Sequence, residues 1–129
     1  KKLMKIPVST KNAPSAIGPY SQAIEHKGLL YLSGQIALAP GESSIENSDA
    51  NQQIDKVFTN IESILVEAGG SLNDILKLNI YLTNLENFDL VNKRMEEIFE
   101  QPYPARATLE VSSLPKGAIV EIDAIAKCD

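Results

Sequence analysis

The feature that most constrains the fold is a change of hydrophobic period at Gly69-Gly70, in the middle of the chain. Before the two glycines, apolar residues recur at helical spacing, on Ile54, Val57, Phe58, Ile61, Ile64, Leu65 and Ala68. This stripe predicts an amphipathic helix over residues 50–68, with Ser48 and Asp49 as candidate N-caps. After the glycines, strict alternation over residues 75–82 predicts a strand, whose apolar face is Leu76, Leu78, Ile80 and Leu82.

Patterns on both sides of this unit predict the other elements, in the order ββ-α-β-α-ββ. They are strands at 20–25 and 29–35, a helix at 87–100, a strand around Arg106 and a last strand at 119–127. Two strand–helix–strand units need right-handed crossovers, which place both helices on the same face of a mixed sheet. Since 129 residues are enough for one core, we expect a single α+β domain over residues 1–129.

With both helices on one face, the other face of the sheet is left uncovered. The alternation predicts that this open face is semi-polar and carries Tyr31, Ser33, Asn79, Tyr81, Arg106, Thr108 and Glu121. A sheet of this size commonly covers such a face by oligomerisation, which we favour. A monomer with a solvated face is the alternative, because antiparallel sheets permit it.

Charge and composition argue against several classes of protein. The net charge of −5 and the pI near 4.9 argue against nucleic acid as the main partner, because phosphate binding normally needs a basic face. No apolar run approaches the roughly 20 residues of a membrane span. His26 is the only histidine and has no second soft ligand at a useful spacing, so no metal is expected. The single cysteine, Cys128, predicts a reducing compartment: the cytoplasm, or an organelle if an upstream presequence has been removed.

Arg106 is the strongest candidate for a binding residue. The chain has ten lysines but two arginines, so an arginine on a predicted strand indicates a need for planar, bidentate geometry. An ion pair with Glu110 or Glu121 across a sheet face is the alternative. We expect residues 105–127 to form a hairpin that brings Arg106 and Glu121 into the same neighbourhood. If the two share a face, the first can hold a substrate carboxylate while the second handles a water or a proton. A shift of one residue in register would separate them.

Other polar residues are weaker candidates. Ser33 and Gly34 close a predicted strand and can present a hydroxyl and a backbone N–H to a ligand, although a simple strand exit is commoner. Tyr20 follows the rigid Gly18-Pro19 turn, where it either covers a pocket or packs half-buried. Asn92 falls between apolar positions of the second helix and is expected to be exposed, unless a neighbouring subunit reaches it. These residues leave a binding module and an enzyme equally open.

Four motifs, in order along the chain, extend this interpretation. They are Asn12-Ala13-Pro14 with Ala16–Ala23; Leu32-Ser33-Gly34-Gln35; Asn79-Ile80-Tyr81-Leu82 with Phe88 and Val91-Asn92; and Pro104–Leu109 followed by Ser112, Leu114 and Val120-Glu121-Ile122. Together they resemble the RidA/YjgF family, the reactive-intermediate (enamine/imine) deaminases, from about residue 7 to residue 127. The resemblance implies a chorismate-mutase-like α+β fold assembled as a homotrimer, with sites between subunits.

The same resemblance implies a reaction and a role for each site residue. The reaction is hydrolysis of imino and enamino acids such as 2-aminoacrylate and 2-aminocrotonate to 2-keto acids and ammonia, without metal or organic cofactor. Arg106 would hold the substrate carboxylate, and Glu121 would activate the attacking water. Tyr20 would close the pocket from the neighbouring subunit, and Ser33 with the Gly34 backbone would contact ligand or water. Asn92 matches another position associated with the pocket.

One position departs from the family pattern, and two other functions stay open. Many active members have cysteine where this chain has Thr108, which can still donate a hydrogen bond, so we expect activity with altered substrate preference. A small-carboxylate-binding regulatory module of the same fold is one alternative. The other is the ribonuclease or translation-inhibitor activity attributed to some members, which the acidic balance disfavours.

Overall fold

Six strands form one mixed sheet, and two helices pack on one of its faces. The computed structural model describes residues 4–46 and 49–128. The strands are β1 (Ile6–Val8), β2 (Ala23–His26), β3 (Leu29–Gln35), β4 (Ile75–Leu82), β5 (Ala105–Glu110) and β6 (Val120–Lys127). The helices are α1 (Ala50–Glu67) and α2 (Phe88–Ile98). The predicted α+β class, with both helices on one face of a mixed sheet, is confirmed.

The strand order is β1-β2-β3-β6-β4-β5. The last strand, β6, lies antiparallel between β3 and β4, while β5 pairs parallel with β4 at the sheet edge. The hairpin predicted for the two C-terminal strands is wrong, because β4 lies between β5 and β6. The connection between them crosses the end of β4, and β6 pairs on both sides, with β3 and with β4.

The first helix follows its prediction to within one residue. Asp49 caps it, since its carboxylate accepts a hydrogen bond of 3.1 Å from the backbone N–H of Gln52. The other candidate cap, Ser48, lies outside the described residues. The apolar stripe is buried against the sheet, and Gly69 follows the helix with a φ of 87°, a conformation that glycine adopts without strain.

The predicted apolar face of β4 is right for three residues and wrong for Leu76. Leu78, Ile80 and Leu82 are fully buried, whereas Leu76 is 46% exposed and Ile75 is buried in its place. The pairing of β4 with β6 is irregular between Ile75 and Lys77. The extra residue reverses the alternation at that point, as expected for a bulge.

The N-terminal part of the sheet differs from its prediction. The strand expected at 20–25 begins at Ala23, and β1 pairs with it although no strand was predicted there. Gln22 is buried and ties the preceding loop to the sheet. Its side chain accepts from the Thr10 N–H at 2.7 Å and donates to the Pro14 carbonyl at 2.7 Å. A three-residue strand containing a proline is too short for a periodic signal.

The second helix is shorter than predicted and packs against the first. It ends at Ile98 because Phe99 has extended backbone angles, although the Phe99 side chain stays buried. The Phe58 and Phe99 rings meet edge to face with centroids 5.9 Å apart. In the part of the chain that the structure describes, neither helix combines the length and the apolar character of a membrane span.

Candidate active site

Arg106 projects from the edge strand β5 toward α2. Its guanidinium carbon lies 4.8 Å from the centroid of the Phe88 ring, and its Nη1 lies 3.3 Å from the sulfur of Met95. No carboxylate among residues 4–46 and 49–128 forms an ion pair with it. The aromatic face holds the guanidinium plane by a cation–π contact and leaves its N–H groups available. Arg106 is therefore a positioned cation that forms no ion pair in the described part of its own chain.

A cavity of about 320 Å³ opens beside this guanidinium. We call it the arginine pocket; it is lined by Asn92, Met95, Glu96, Tyr103, Pro104 and Arg106. The side chain of Asn92 is half-buried there, one helical turn before Glu96. A planar anion entering this pocket would find a guanidinium fork and an amide on the same wall.

Glu121 lies in a second cavity, also of about 320 Å³. We call it the glutamate pocket; its walls include Ile17, Tyr20, Gly34, Leu38, Lys116 and Glu121. The Glu121 carboxyl is half-buried on the open face of the sheet. Burial, and secondarily the negative charge of Asp123, raise the pKa of Glu121 above its ordinary value. A carboxyl with a raised pKa holds a proton more readily than an exposed glutamate does, which suits it to proton transfer.

Gly34 makes room for that carboxyl. The pairing of β3 with β6 is irregular between Leu32 and Gln35, and a Cβ built on Gly34 would overlap Oε2 of Glu121. The glycine thus leaves space that a methyl group would take only by moving the Glu121 carboxyl. The sequence predicts that the Gly34 backbone N–H contacts a ligand. In the structure, the absence of a side chain at Gly34 also leaves space for the Glu121 carboxyl.

Arg106 and Glu121 lie on opposite faces of the sheet. Arg106 pairs with Leu78, which is buried beneath the helices, whereas Glu121 pairs with Tyr81 on the open face. The prediction that Arg106 lies on the open face is therefore wrong. The same prediction for Thr108 is also wrong, because Thr108 pairs with buried Ile80. The prediction that Arg106 and Thr108 share one side of β5 is right. Which side of β5 faces the helices depends on the pairing of β5 with β4.

Neither ion pair considered for Arg106 is present. Glu121 is separated from it by the sheet, and the carboxylate of Glu110 instead accepts a hydrogen bond of 2.9 Å from the backbone N–H of Leu85. The two pockets share no lining residue. The chain therefore presents a guanidinium in one cavity and a half-buried carboxyl in another.

The remaining candidates divide between the two pockets. The hydroxyl of Tyr20, in the glutamate pocket, accepts from the Ile17 N–H at 3.3 Å. Ser33 lines neither pocket, since its hydroxyl donates to the Ser21 carbonyl at 2.6 Å. Thr108 also lines neither, and its hydroxyl oxygen is buried with no hydrogen-bond partner in the described chain. The structure thus joins Tyr20 and Gly34 to Glu121, and Asn92 to Arg106.

Comparison with known proteins identifies the family. The model of the family described as "Endoribonuclease L-PSP" matches residues 10–128. A RutC family protein of Pyrococcus horikoshii is 44% identical over 95% of this chain and 98% of its own length. The chain belongs to the RidA/YjgF family. A solved Rid family structure from Yersinia pestis is 47% identical with a TM-score of 0.92, covering 95% of this chain and 98% of that one. A relative from Dermatophagoides farinae, named 2-iminobutanoate/2-iminopropanoate deaminase, is 38% identical over 92% of each chain.

Two polar residues of this RidA/YjgF chain were missed by the sequence analysis. Lys116 lies in the glutamate pocket, on a turn with a φ of 58°. Asp123 lies on the open face and accepts hydrogen bonds from Asn79 and Tyr81. The position of Asp123 two residues after Glu121 on an alternating strand was a signal that the two share a face. Among the described residues, no three His, Cys, Asp or Glu side chains form a group that could hold a metal.

Proposed function

We propose that this protein hydrolyses 2-imino acids and their enamine tautomers, such as 2-iminobutanoate and 2-iminopropanoate, to 2-keto acids and ammonia. The observation that carries the proposal is the guanidinium of Arg106, which stacks on Phe88 beside a cavity and forms no ion pair with a carboxylate of the described residues. A substrate carboxylate supplies that missing charge. Relatives about 38% identical that are named as imine deaminases support the same reaction.

The complete site, in this proposal, is made by two protomers of a homotrimer. The arginine pocket of one protomer meets the glutamate pocket of its neighbour, so that the open sheet face is covered on assembly. This arrangement explains why each pocket contains only one of the two groups, Arg106 in the arginine pocket and Glu121 in the glutamate pocket. It also explains why a carboxyl on one sheet face and a guanidinium on the other can act on one small substrate.

The chemistry begins with the iminium form of the substrate, whose C2 carbon is already electrophilic. Arg106 binds the carboxylate, with Asn92 beside it, and fixes C2 for attack. Glu121 accepts a proton as a water oxygen bonds to C2, which gives a tetrahedral amino alcohol. Glu121 returns that proton to the nitrogen, the C–N bond breaks with its electrons going to nitrogen, and ammonia leaves. Loss of the hydroxyl proton yields the keto acid, so one water is consumed for each ammonium ion released.

The other site residues shape the pocket around this step. Tyr20 closes the glutamate pocket with its ring, and Gly34 leaves space for the Glu121 carboxyl and offers a backbone N–H to ligand or water. Ser33 holds the end of β3 through its bond to the Ser21 carbonyl. Thr108 lies beside Arg106 on the same side of β5, where its hydroxyl can reach a ligand after rotation about χ1.

The test is a deaminase assay on wild type, Arg106→Ala and Arg106→Lys. A pyridoxal-phosphate-dependent dehydratase acting on serine generates 2-aminoacrylate, and the rate of keto-acid and ammonia release is measured with and without this protein. Loss of a bidentate charged contact should lower kcat/KM by roughly 10- to 100-fold, and lysine should restore only part of it.

The chain supplies a matched control in its other arginine. Arg94 lies between the helices and pairs with Asp55 and Glu97, away from both pockets. Arg94→Ala should therefore retain the wild-type rate. Equal rates with and without wild-type protein would refute the proposed function.

A carboxylate-binding regulatory module is the second candidate, because the arginine pocket alone suffices for binding. It predicts calorimetric binding of 2-ketobutyrate that depends on Arg106 and no turnover of 2-aminoacrylate. The family model bears a ribonuclease name, yet the net charge of −5 disfavours RNA as the main partner. Cleavage of RNA that survives Arg106→Ala and varies between preparations would indicate a contaminant.

A further inference from the structure

Asp123 stands beside the proposed proton-transfer group in a fixed geometry. Asp123 and Glu121 are two residues apart on β6, so their side chains leave the same face of the sheet. Two residues of a strand span roughly 6.5 Å, which keeps the carboxyls near each other without direct contact. The pairing register places Tyr81 opposite Glu121 and Asn79 opposite Asp123.

Both oxygens of Asp123 are held by donors from the neighbouring strand. The Asn79 amide donates to Oδ1 at 2.8 Å, and the Tyr81 hydroxyl donates to Oδ2 at 3.1 Å. Hydrogen bonds of this kind restrict the rotation of the carboxylate. The donors come from β4 and the acceptor from β6, so the backbone pairing of these two strands fixes the position of the Asp123 carboxylate.

We propose that Asp123 is a positioning residue that acts through Glu121, its pinned negative charge keeping the Glu121 carboxyl able to hold the proton it must later return. This inference rests on the proposed function in assigning the proton transfer to Glu121. The electrostatic link between the two carboxyls stands without it.

The charged and titratable groups around Glu121 favour this role for Asp123. From β6 the facing group is Asp123, and from β4 it is Tyr81, whose hydroxyl is already bonded to Asp123. The N-terminal segment contributes Tyr20 and the loop before β6 contributes Lys116, both in the glutamate pocket. Lys116 makes no ion pair with Glu121 within the described chain.

Burial raises the pKa of Glu121, and the negative charge of Asp123 raises it further. Replacing Asp123 by the neutral, similarly shaped asparagine removes the repulsion that disfavours the ionised form of Glu121. The titration midpoint of Glu121 should therefore shift to lower pH, while burial keeps it above that of an exposed glutamate.

The experiment measures this midpoint directly, by NMR of protein labelled with ¹³C at the glutamate carboxyl carbons. The signal of Glu121 is assigned as the one lost in Glu121→Gln. Wild type and Asp123→Asn are titrated, together with Asp123→Glu, which keeps the charge, and Asp89→Asn, which removes an exposed carboxylate on α2. We expect a shift to lower pH in Asp123→Asn, a midpoint nearer to wild type in Asp123→Glu, and no shift in Asp89→Asn.

A midpoint in folded Asp123→Asn equal to that of wild type would overturn the proposal. If Asp123→Asn does not fold, Asp123→Ser takes its place, judged by the same midpoint. A second arm records kcat/KM for 2-iminopropanoate hydrolysis against pH, where the acid limb should move to lower pH with the NMR midpoint. An acid limb that stays in place while the midpoint moves would contradict a role in the reaction. Absence of turnover in every variant would refute the proposed function, and the NMR arm would still decide whether Asp123 controls the Glu121 proton.

Discussion

At the scale of single residues, the choice of arginine at position 106 follows from what surrounds it. The guanidinium stacks on Phe88 and lies against the sulfur of Met95, contacts that a compact ammonium makes poorly. Its hydrogen-bonding edge is left for a ligand. The chain's other arginine, Arg94, shows the opposite use, since two carboxylates neutralise it between the helices.

The hydroxyl group of Thr108 does not match its buried surroundings. Its hydroxyl oxygen is buried with no partner in the described chain, and an unsatisfied hydroxyl costs on the order of 1–3 kcal/mol. Thr108→Val keeps the shape and removes that cost, so the free energy of unfolding should rise by about 1 kcal/mol. Urea denaturation at one fixed protein concentration measures this change.

Thr59→Val is the matched control for that measurement. The Thr59 hydroxyl is exposed and donates to the Asp55 carbonyl at 3.0 Å, so its removal should change stability by no more than about 0.5 kcal/mol. A destabilised Thr108→Val would mean that the hydroxyl has a partner in the folded protein. A raised KM in the stabilised variant would add that the hydroxyl turns toward the substrate.

At the scale of elements, the junction of β3 and β6 decides where the acidic group lies. The irregular pairing at Ser33 and Gly34 lets the Glu121 carboxyl occupy space that a side chain on β3 would take. Gly34 has no positive φ, so alanine there introduces no backbone strain. Its methyl group would have to push the flexible end of Glu121 aside.

Gly34→Ala should therefore lower activity while leaving the fold intact. We expect a loss of roughly 10- to 100-fold in kcat, because general acid–base catalysis of this kind contributes at least that much. The free energy of unfolding should change by less than about 1 kcal/mol, measured by denaturation beside the deaminase assay. Full activity in a folded Gly34→Ala protein would show that Glu121 does not need this position.

At the scale of the whole molecule, the proposed function places each site between two protomers, because the two pockets share no lining residue within one chain. If each site takes Arg106 from one protomer and Glu121 from its neighbour, the impaired variants Arg106→Ala and Glu121→Ala should complement each other. In the whole population of oligomers assembled at random from equal amounts, about one quarter of the sites receive both wild-type residues. Co-expression at equal levels with one shared affinity tag yields this population, and its deaminase activity is measured without selecting the mixed oligomers.

The control mixes wild type with the Arg106→Ala/Glu121→Ala double variant. A shared site again leaves about one quarter of the activity, whereas a site within one chain leaves about one half. A site within one chain would also give no activity in the mixture of single variants. Equal activity in the two mixtures therefore supports the shared site. Half of the wild-type activity in the control mixture, together with no activity in the mixture of single variants, would contradict it.

The sequence by itself determined what depends on local spacing. The helical stripe before Gly69-Gly70 and the alternation after it predicted α1 and β4, and two crossovers predicted helices on one face of the sheet. The motifs identified the family, which the comparisons confirm. Local period and motif order need no knowledge of which strands are neighbours.

Only the tertiary structure decided which side chains meet. The insertion of β6 between β3 and β4, and the parallel pairing of β5, put Arg106 under α2 and Glu121 on the open face. Alternation along a strand separates its two sides but does not say which side faces the helices, because that depends on pairing with residues distant in sequence. The sequence could therefore name Arg106 and Glu121, while the pairing of the strands decided that one protomer keeps them apart.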